Sequence, residues 1–109
     1  MYPSRFRYEA PTSIEEAIAL LNAGNGEAKV LAGGQSLIPM MKLRFATPAT
    51  IIDINNLPGL DQHGPDDQGV YRIGALVRHA DLEKSTTLGR HQPLVASAAP
   101  LVADPIVRT

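Results

Sequence analysis

Residues 29–44 read Lys29-Val-Leu-Ala-Gly-Gly-Gln-Ser-Leu-Ile-Pro-Met-Met-Lys-Leu-Arg44, and they carry more structural information than any other segment of the chain. The apolar residues 30–32 predict a short buried strand. The pair Gly33-Gly34 follows directly, and Ser36 stands where a helix N-cap is expected before the apolar residues 37–43. The segment therefore predicts a strand, a glycine turn and a helix in immediate succession.

A glycine turn between a strand and a helix favours the binding of an anion. Glycine N–H groups approach a phosphate without a Cβ in the way, and a helix start adds N–H donors and a partial positive charge. Gln35 and Ser36 offer side-chain donors at the same place. The alternative is a turn that needs glycine only for its shape. The spacing matches neither G-x-x-x-x-G-K-[ST] nor G-x-G-x-x-G, which excludes an ordinary P-loop and the Rossmann fingerprint.

The segment Lys29 to Arg44 resembles the first flavin-binding signature of the molybdenum hydroxylase flavoproteins, the FAD-binding medium subunits of the carbon monoxide dehydrogenase and xanthine dehydrogenase type. The resemblance implies that residues 32–36 wrap the diphosphate of FAD and that apolar side chains on either side form walls beside the nucleotide. The cofactor-binding residues implied in this way are Lys29, Val30, Leu31, Ala32, Gly33, Gly34, Gln35, Ser36, Leu37 and Val102.

The resemblance extends over essentially the whole chain. Residues 5–11 look like the family's opening strand, residues 51–55 and 73–83 like later strands and a helix, and residues 94–108 like the helix before its second flavin signature. That second signature is expected just after Arg108, so the sequence is expected to be the amino-terminal part of a larger subunit. The implied fold is the PCMH-type FAD-binding fold, with one α/β subdomain over about 1–55 and the start of a second over about 56–109.

The same resemblance implies a function. The chain would be the FAD-binding, electron-transfer component of a cytoplasmic molybdenum hydroxylase. Its partners would be a large subunit with the molybdenum cofactor and a small subunit with iron–sulfur clusters, and electrons would pass through FAD to an acceptor such as NAD or a quinone. Two alternatives stay open, which are a module that binds another phosphorylated ligand without redox chemistry, and an inactive truncated remnant.

Composition excludes several other classes of function. The chain has 109 residues, no cysteine, and 10 basic and 11 acidic side chains, for a formal net charge of −1. This balance predicts no surface that attracts nucleic acid or an anionic membrane. Without cysteine the chain forms no disulfide, thiolate zinc site or iron–sulfur ligation of its own. The apolar segments around 31–41 and 92–103 fall short of the roughly 20 residues of a membrane-spanning helix, and no secretory signal follows Met1.

Hydrophobic patterning predicts an α/β alternation. Thr12 or Ser13 begins a helix through a capping box with the glutamates that follow, and Gly24 ends it. A further helix begins at Pro93, and Pro100 should kink or end it. The predicted strands are residues 6–8, 29–32, 50–54 and 70–76, a helix begins over residues 78–84, and residues 62–69 are predicted as a loop.

The remaining polar residues predict structure rather than chemistry. The three histidines His63, His79 and His91 are far apart and lack metal-ligand spacing, which favours surface or capping roles. Asp66-Asp67 is expected in a solvated turn, and Asp53 is expected to form a turn or cap a helix together with Asn55 and Asn56. We interpret Met40, Met41 and Leu43 as core packing. Either Lys29 or Lys42 could neutralise a phosphate, and no residue is assigned as a catalytic acid, base or nucleophile.

Overall fold

The computed structural model of the protein describes residues 2–109 and divides them into two units, one ending at Pro58 and the other comprising Gly59–Thr109. The first unit contains a parallel sheet of β1 (Arg7–Glu9), β2 (Ala28–Leu31) and β3 (Thr50–Asp53), in the order β1-β3-β2. The strand β3 is central and buried on both faces, because Ile51 and Ile52 are only 2% and 0% exposed. This is the apolar, β-branched composition that a central parallel strand requires.

Two helices complete the first unit, α1 (Ile14–Ala23) and α2 (Leu37–Lys42). The predicted cap of α1 is confirmed, since the Ser13 hydroxyl accepts a 3.2 Å hydrogen bond from the Glu16 N–H. The Glu16 carboxylate in turn accepts a hydrogen bond from the Thr12 N–H, one residue earlier than in a standard capping box. Gly24 ends the helix as predicted.

The second unit combines a β-hairpin with short helices. The strands β4 (His63–Pro65) and β5 (Tyr71–Ile73) pair antiparallel. Its core is formed by Leu82, Leu88 and Ala99, which are between 0% and 9% exposed. The helices are α3 (His79–Lys84), α4 (Thr86–His91), α5 (Pro93–Ala98), a 3-10 helix (Ala99–Leu101) and α6 (Pro105–Arg108).

The α/β prediction is confirmed, and two local predictions in the second unit need correction. The predicted loop 62–69 contains β4, because nonlocal pairing with β5 orders a segment that has little strand propensity of its own. Residues 94–108 do not form one helix. As expected from its missing N–H, Pro100 lies where α5 gives way to the 3-10 helix. Within residues 2–109, every helix is too short or too polar to cross a bilayer.

Candidate functional site

The glycine turn, which we define as residues 32–36, connects the end of β2 to the start of α2. All three strands of the sheet run parallel, so the turn leaves the sheet at the edge where the carboxyl ends of the strands meet. Ligands of open α/β sheets bind outside this edge. The fold therefore places the predicted cofactor segment where binding is expected.

Gly34 determines the shape of the glycine turn. Its φ is +82°, a left-handed conformation that side chains other than glycine rarely adopt. A Cβ at this position would also lie 2.6 Å from Cδ1 of Ile38 and 3.1 Å from Cδ1 of Leu31. Gly33 is less restricted, because a Cβ there would meet only the flexible amide of Gln35.

The backbone donors of the turn that make no hydrogen bond within residues 2–109 include four successive N–H groups, those of Gly33, Gly34, Gln35 and Ser36. The first returning bond is the one from the Ile38 N–H to the Gly34 carbonyl, at 2.9 Å. Backbone N–H groups that water or a ligand must satisfy are the groups that hold a phosphate at other strand-to-helix turns. The residues present thus fit the diphosphate of a nucleotide.

The expectation that the Ser36 side chain caps α2 is wrong. Ser36 occupies the N-cap position, but its φ of −103° and ψ of −47° are already helical and its hydroxyl makes no capping bond. A capping side chain needs an extended backbone to reach the N–H groups of the first turn. The exposed hydroxyl is consequently available to a ligand.

The apolar and basic residues flanking the turn differ in exposure. Lys29 is exposed, and Val30 is 44% exposed on the edge strand β2. Leu31 lines an apolar cavity of about 240 Å³, together with Tyr8 and other apolar side chains. Leu37 is half-buried at the start of α2. The first unit thus brings together nine of the ten predicted residues, Lys29, Val30, Leu31, Ala32, Gly33, Gly34, Gln35, Ser36 and Leu37.

The tenth predicted residue, Val102, belongs to the second unit. It follows the 3-10 helix in an extended conformation, is 42% exposed, and accepts a 3.1 Å hydrogen bond on its carbonyl from Arg108. The role of Val102 toward a flavin stays a prediction.

A hydrogen-bond network at the end of β3 supports the turn from outside. Asn55 donates its side-chain amide to the Ala32 carbonyl at 2.8 Å and to Asp53 Oδ1 at 2.7 Å. Asp53 Oδ1 also accepts from the Asn55 N–H at 2.9 Å, which confirms the predicted turn-forming role of these two residues. Tyr8 donates its hydroxyl to Asp53 Oδ2. Sequence reasoning identified neither the contact with Ala32 nor the contact with Tyr8.

These contacts shift two ionisation equilibria. The hydrogen bond from Tyr8, followed by that from the Asn55 N–H, holds the pKa of Asp53 below its usual value. The same bond to Asp53 raises the pKa of Tyr8. The carboxylate of Asp53 is therefore stabilised in its charged form, and the hydroxyl of Tyr8 in its neutral form.

Other polar and apolar predictions are settled individually. Met41 is buried at 6% exposure, but Met40 and Leu43 are 44% and 57% exposed and do not pack in the core. In the six-residue helix α2 Met41 alone is buried. His63 is half-buried rather than on the surface, with Nδ1 2.7 Å from the Tyr71 hydroxyl. Residues 2–109 contain no cluster of three potential metal ligands.

The chain matches the family model described as the FAD binding domain in molybdopterin dehydrogenase over residues 4–109. It is 50% identical to the carbon monoxide dehydrogenase medium chain of Hydrogenophaga pseudoflava, covering 99% of this chain and 37% of that protein. It is 42% identical to the 6-hydroxypseudooxynicotine dehydrogenase complex subunit alpha of Paenarthrobacter nicotinovorans, covering 99% and 36% respectively.

A solved structure is similar at the level of the fold. Carbon monoxide dehydrogenase from Hydrogenophaga pseudoflava, in a form that lacks the Mo-pyranopterin moiety of the molybdenum cofactor, superposes with a TM-score of 0.92 at 49% identity. The match covers 99% of this chain and 37% of that chain. The present chain therefore spans just over a third of the length of the relatives it matches.

Proposed function

This chain belongs to the family of FAD-binding domains in molybdopterin dehydrogenases, and on that premise we propose that its glycine turn holds the diphosphate of FAD. The observation that carries the proposal is the run of four backbone N–H groups, from Gly33 to Ser36, without a partner within residues 2–109. Gly34 gives the turn its shape, because its φ is +82° and a Cβ there would meet the side chains of Ile38 and Leu31.

The side chains around the turn suit the rest of such a ligand. The Ser36 hydroxyl and the Gln35 amide are exposed at the turn and can donate to phosphate oxygens. Lys29 adds a positive charge on the adjoining strand, while Val30, Leu31 and Leu37 supply apolar surface. The flavin, when bound, supplies the electron-transfer chemistry, and the role of the chain is to bind and orient it. We also propose that the chain comprises one subdomain over about residues 1–55 and the start of a second over about residues 56–109.

We further propose that the whole protein is the flavoprotein subunit of a cytoplasmic, multi-subunit molybdenum hydroxylase. Its partners would be a large molybdenum-cofactor subunit and a small iron–sulfur subunit, with electrons passing from the clusters through FAD to NAD or a quinone. Support comes from the relatives, whose names describe a dehydrogenase medium chain and a subunit of a dehydrogenase complex.

The test is the flavin content of the protein that carries this chain, purified with the subunits that accompany it. After denaturation, the released flavin is identified and quantified by absorbance and fluorescence. We expect FAD from the wild type and from Gly26→Ala, and a large loss from Gly34→Ala. Gly26 is a matched control, since its φ is +87° but a Cβ there meets nothing within 4 Å.

Two results would contradict the proposal. One is a wild-type protein that contains no FAD and takes up none when incubated with an excess. The other is a Gly34→Ala variant that keeps the flavin as tightly as the wild type. Saturable binding of a different phosphorylated ligand in place of FAD would favour the module without redox chemistry.

A further inference from the structure

We infer that Asn55 is a positioning residue, which orients the Ala32–Gly33 peptide so that the Gly33 N–H faces the bound diphosphate. The inference rests on the proposed function of the glycine turn. Asn55 lies outside the segment 29–37, and its contact with Ala32 spans 23 residues of sequence.

The contact acts on one peptide group. Asn55 Nδ2 donates to the Ala32 carbonyl oxygen at 2.8 Å. In a planar trans peptide the C=O and the following N–H point in opposite directions, so a fixed Ala32 carbonyl fixes the direction of the Gly33 N–H. This N–H points away from Asn55 and is the first of the four unpartnered donors.

The glycine turn needs an anchor of this kind because its own residues do not supply one. Glycine has more conformational freedom than any other residue type, so the peptide groups at Gly33 and Gly34 rotate at little cost in free energy. The turn makes its first returning backbone hydrogen bond only from Ile38 to Gly34. Before that point, the contact with Asn55 ties the Ala32 end of the turn to the sheet.

The Asn55 side chain is itself held in one orientation. Its amide donates a second hydrogen bond, at 2.7 Å, to Asp53 Oδ1, and that carboxylate oxygen also accepts from the Asn55 N–H. Tyr8 holds the other oxygen, Oδ2. The order of support is therefore Tyr8, then Asp53, then Asn55, and finally the peptide of the turn.

The same arrangement limits the repulsion between Asp53 and an anionic ligand. A carboxylate near a diphosphate opposes binding unless its charge is compensated by donors. Asp53 accepts three hydrogen bonds, from the Tyr8 hydroxyl and from two N–H groups of Asn55. Loss of Asn55 would both free the turn and expose part of this charge.

The test measures ligand affinities of the cofactor-free protein that carries this chain, in wild type, Asn55→Ala and Tyr8→Phe. Asn56→Ala is the matched control, because the neighbouring side chain is exposed and makes no hydrogen bond within residues 2–109. The probes are FAD, ADP and adenosine. ADP and adenosine differ only in the two phosphates, so their comparison isolates the diphosphate.

We expect Asn55→Ala to weaken the binding of FAD and ADP about tenfold, because it removes the hydrogen bond that holds the Ala32 carbonyl. Tyr8→Phe should weaken their binding about threefold, because it removes only a hydrogen bond to Asp53, which acts on the turn through Asn55. Adenosine binding should stay unchanged in both variants. If Asn55 had a merely structural role, Asn55→Ala would weaken the binding of adenosine as much as that of ADP, and that result would overturn the inference. Equal affinities of Asn55→Ala and Asn56→Ala for ADP would also overturn it.

The outcome separates this inference from the proposed function. If the wild-type protein does not bind FAD, both the proposed function and the positioning role of Asn55 are wrong. A wild-type protein that binds FAD, with Asn55→Ala indistinguishable from it, removes only the positioning role. If Asn55→Ala fails to fold, Tyr8→Phe alone decides, since it retains every backbone contact and deletes one hydroxyl.

Discussion

Arg108 donates its Nε–H to the Glu83 carboxylate at 3.2 Å, across 25 residues of sequence, and is itself only 9% exposed. Its Nη1 donates to the carbonyl oxygens of Val102 and Ala103, at 3.1 and 2.8 Å. Ala103 has a φ of +56°, which is an unfavourable conformation for a residue with a Cβ. The guanidinium thus holds the carbonyl of the predicted cofactor residue Val102 and that of Ala103, and only Ala103 is in the unfavourable left-handed conformation.

Arg108→Ala should lower the free energy of unfolding of the second unit by about 1–3 kcal/mol, because charge-assisted hydrogen bonds to two carbonyls and a carboxylate are lost together. Arg108→Lys should recover only part of the loss, since an ammonium lacks the planar fork that reaches several acceptors. Urea unfolding followed by circular dichroism measures both. Glu83→Gln is the control and should cost less, because it leaves the carbonyl contacts intact; equal losses for Arg108→Ala and Glu83→Gln would contradict this account.

Gly34→Ala should destabilise the first unit by more than Gly26→Ala. Both glycines have a positive φ, so both substitutions carry the left-handed strain of about 1–2 kcal/mol. Only at Gly34 does the new Cβ also meet side chains, those of Ile38 and Leu31. Thermal or urea unfolding of the two variants isolates the packing cost as their difference. Similar stabilities would mean that Ile38 moves aside without cost.

The sequence was most informative where short-range patterns decide the structure. The buried strand β3 follows from a β-branched apolar run, and the glycine turn from a strand that meets two glycines. The cap of α1 follows from Ser13 and Glu16, which are close in sequence. Such features depend on a few adjacent residues, so the chain alone predicts them.

Features that depend on distant contacts were not predictable in the same way. Strand β4 contains a glycine and a proline and is ordered by pairing with β5. Asn55 looks like a turn residue, and only the fold shows that it reaches back to Ala32. The segment Asp53-Ile54-Asn55 at the end of a strand predicts a turn. Its spacing does not predict that the Asn55 side chain contacts Ala32, which is 23 residues away in sequence.

The stability of the first unit should depend on pH at both ends of the scale. The pKa of Asp53 is lowered on folding, so the unfolded chain takes up the proton first as the pH falls. The contribution of Asp53 to the free energy of unfolding is fully present above its pKa in the unfolded chain, which is about 4. This contribution is lost as the pH falls through the lower pKa of Asp53 in the folded protein. The pKa of Tyr8 is raised, so its contribution is present below about pH 10 and is lost as the pH rises through the folded value.

Tyr8→Phe tests this dependence because it removes the largest cause of both shifts. As the pH falls from about 5 to the point where Asp53 is protonated, the free energy of unfolding of Tyr8→Phe should fall less than that of the wild type. At high pH the variant should lack the loss of stability that accompanies ionisation of the Tyr8 hydroxyl. Unfolding curves measured across the pH range give the comparison, with Tyr2→Phe as a control for an exposed tyrosine. Parallel curves for wild type and Tyr8→Phe would show that the hydrogen bond to Asp53 does not couple to folding.

The β4–β5 hairpin offers a further prediction, on the turn expected from Asp66-Asp67. Asp66 is a structural residue there, because its Oδ1 accepts from the N–H groups of Gln68 and Val70, each at 2.9 Å. Its Oδ2 pairs with Arg72 at 2.9 Å, but the Arg72 side chain is 74% exposed. The backbone bond from Val70 is also the largest reason why the pKa of Asp66 is lowered.

Asp66→Ala should therefore destabilise the hairpin more than Arg72→Ala, since exposed ion pairs contribute little and are screened by salt. Asp67→Ala is the matched control, because that neighbouring side chain is exposed and makes no hydrogen bond within residues 2–109. Melting temperatures at low and high salt separate the two contributions. We expect the Asp66→Ala loss to persist at high salt, because it comes from backbone N–H groups left without an acceptor, and the small Arg72→Ala loss to vanish there. An Arg72→Ala loss that equals the Asp66→Ala loss at both salt concentrations would assign the order of the turn to the ion pair instead.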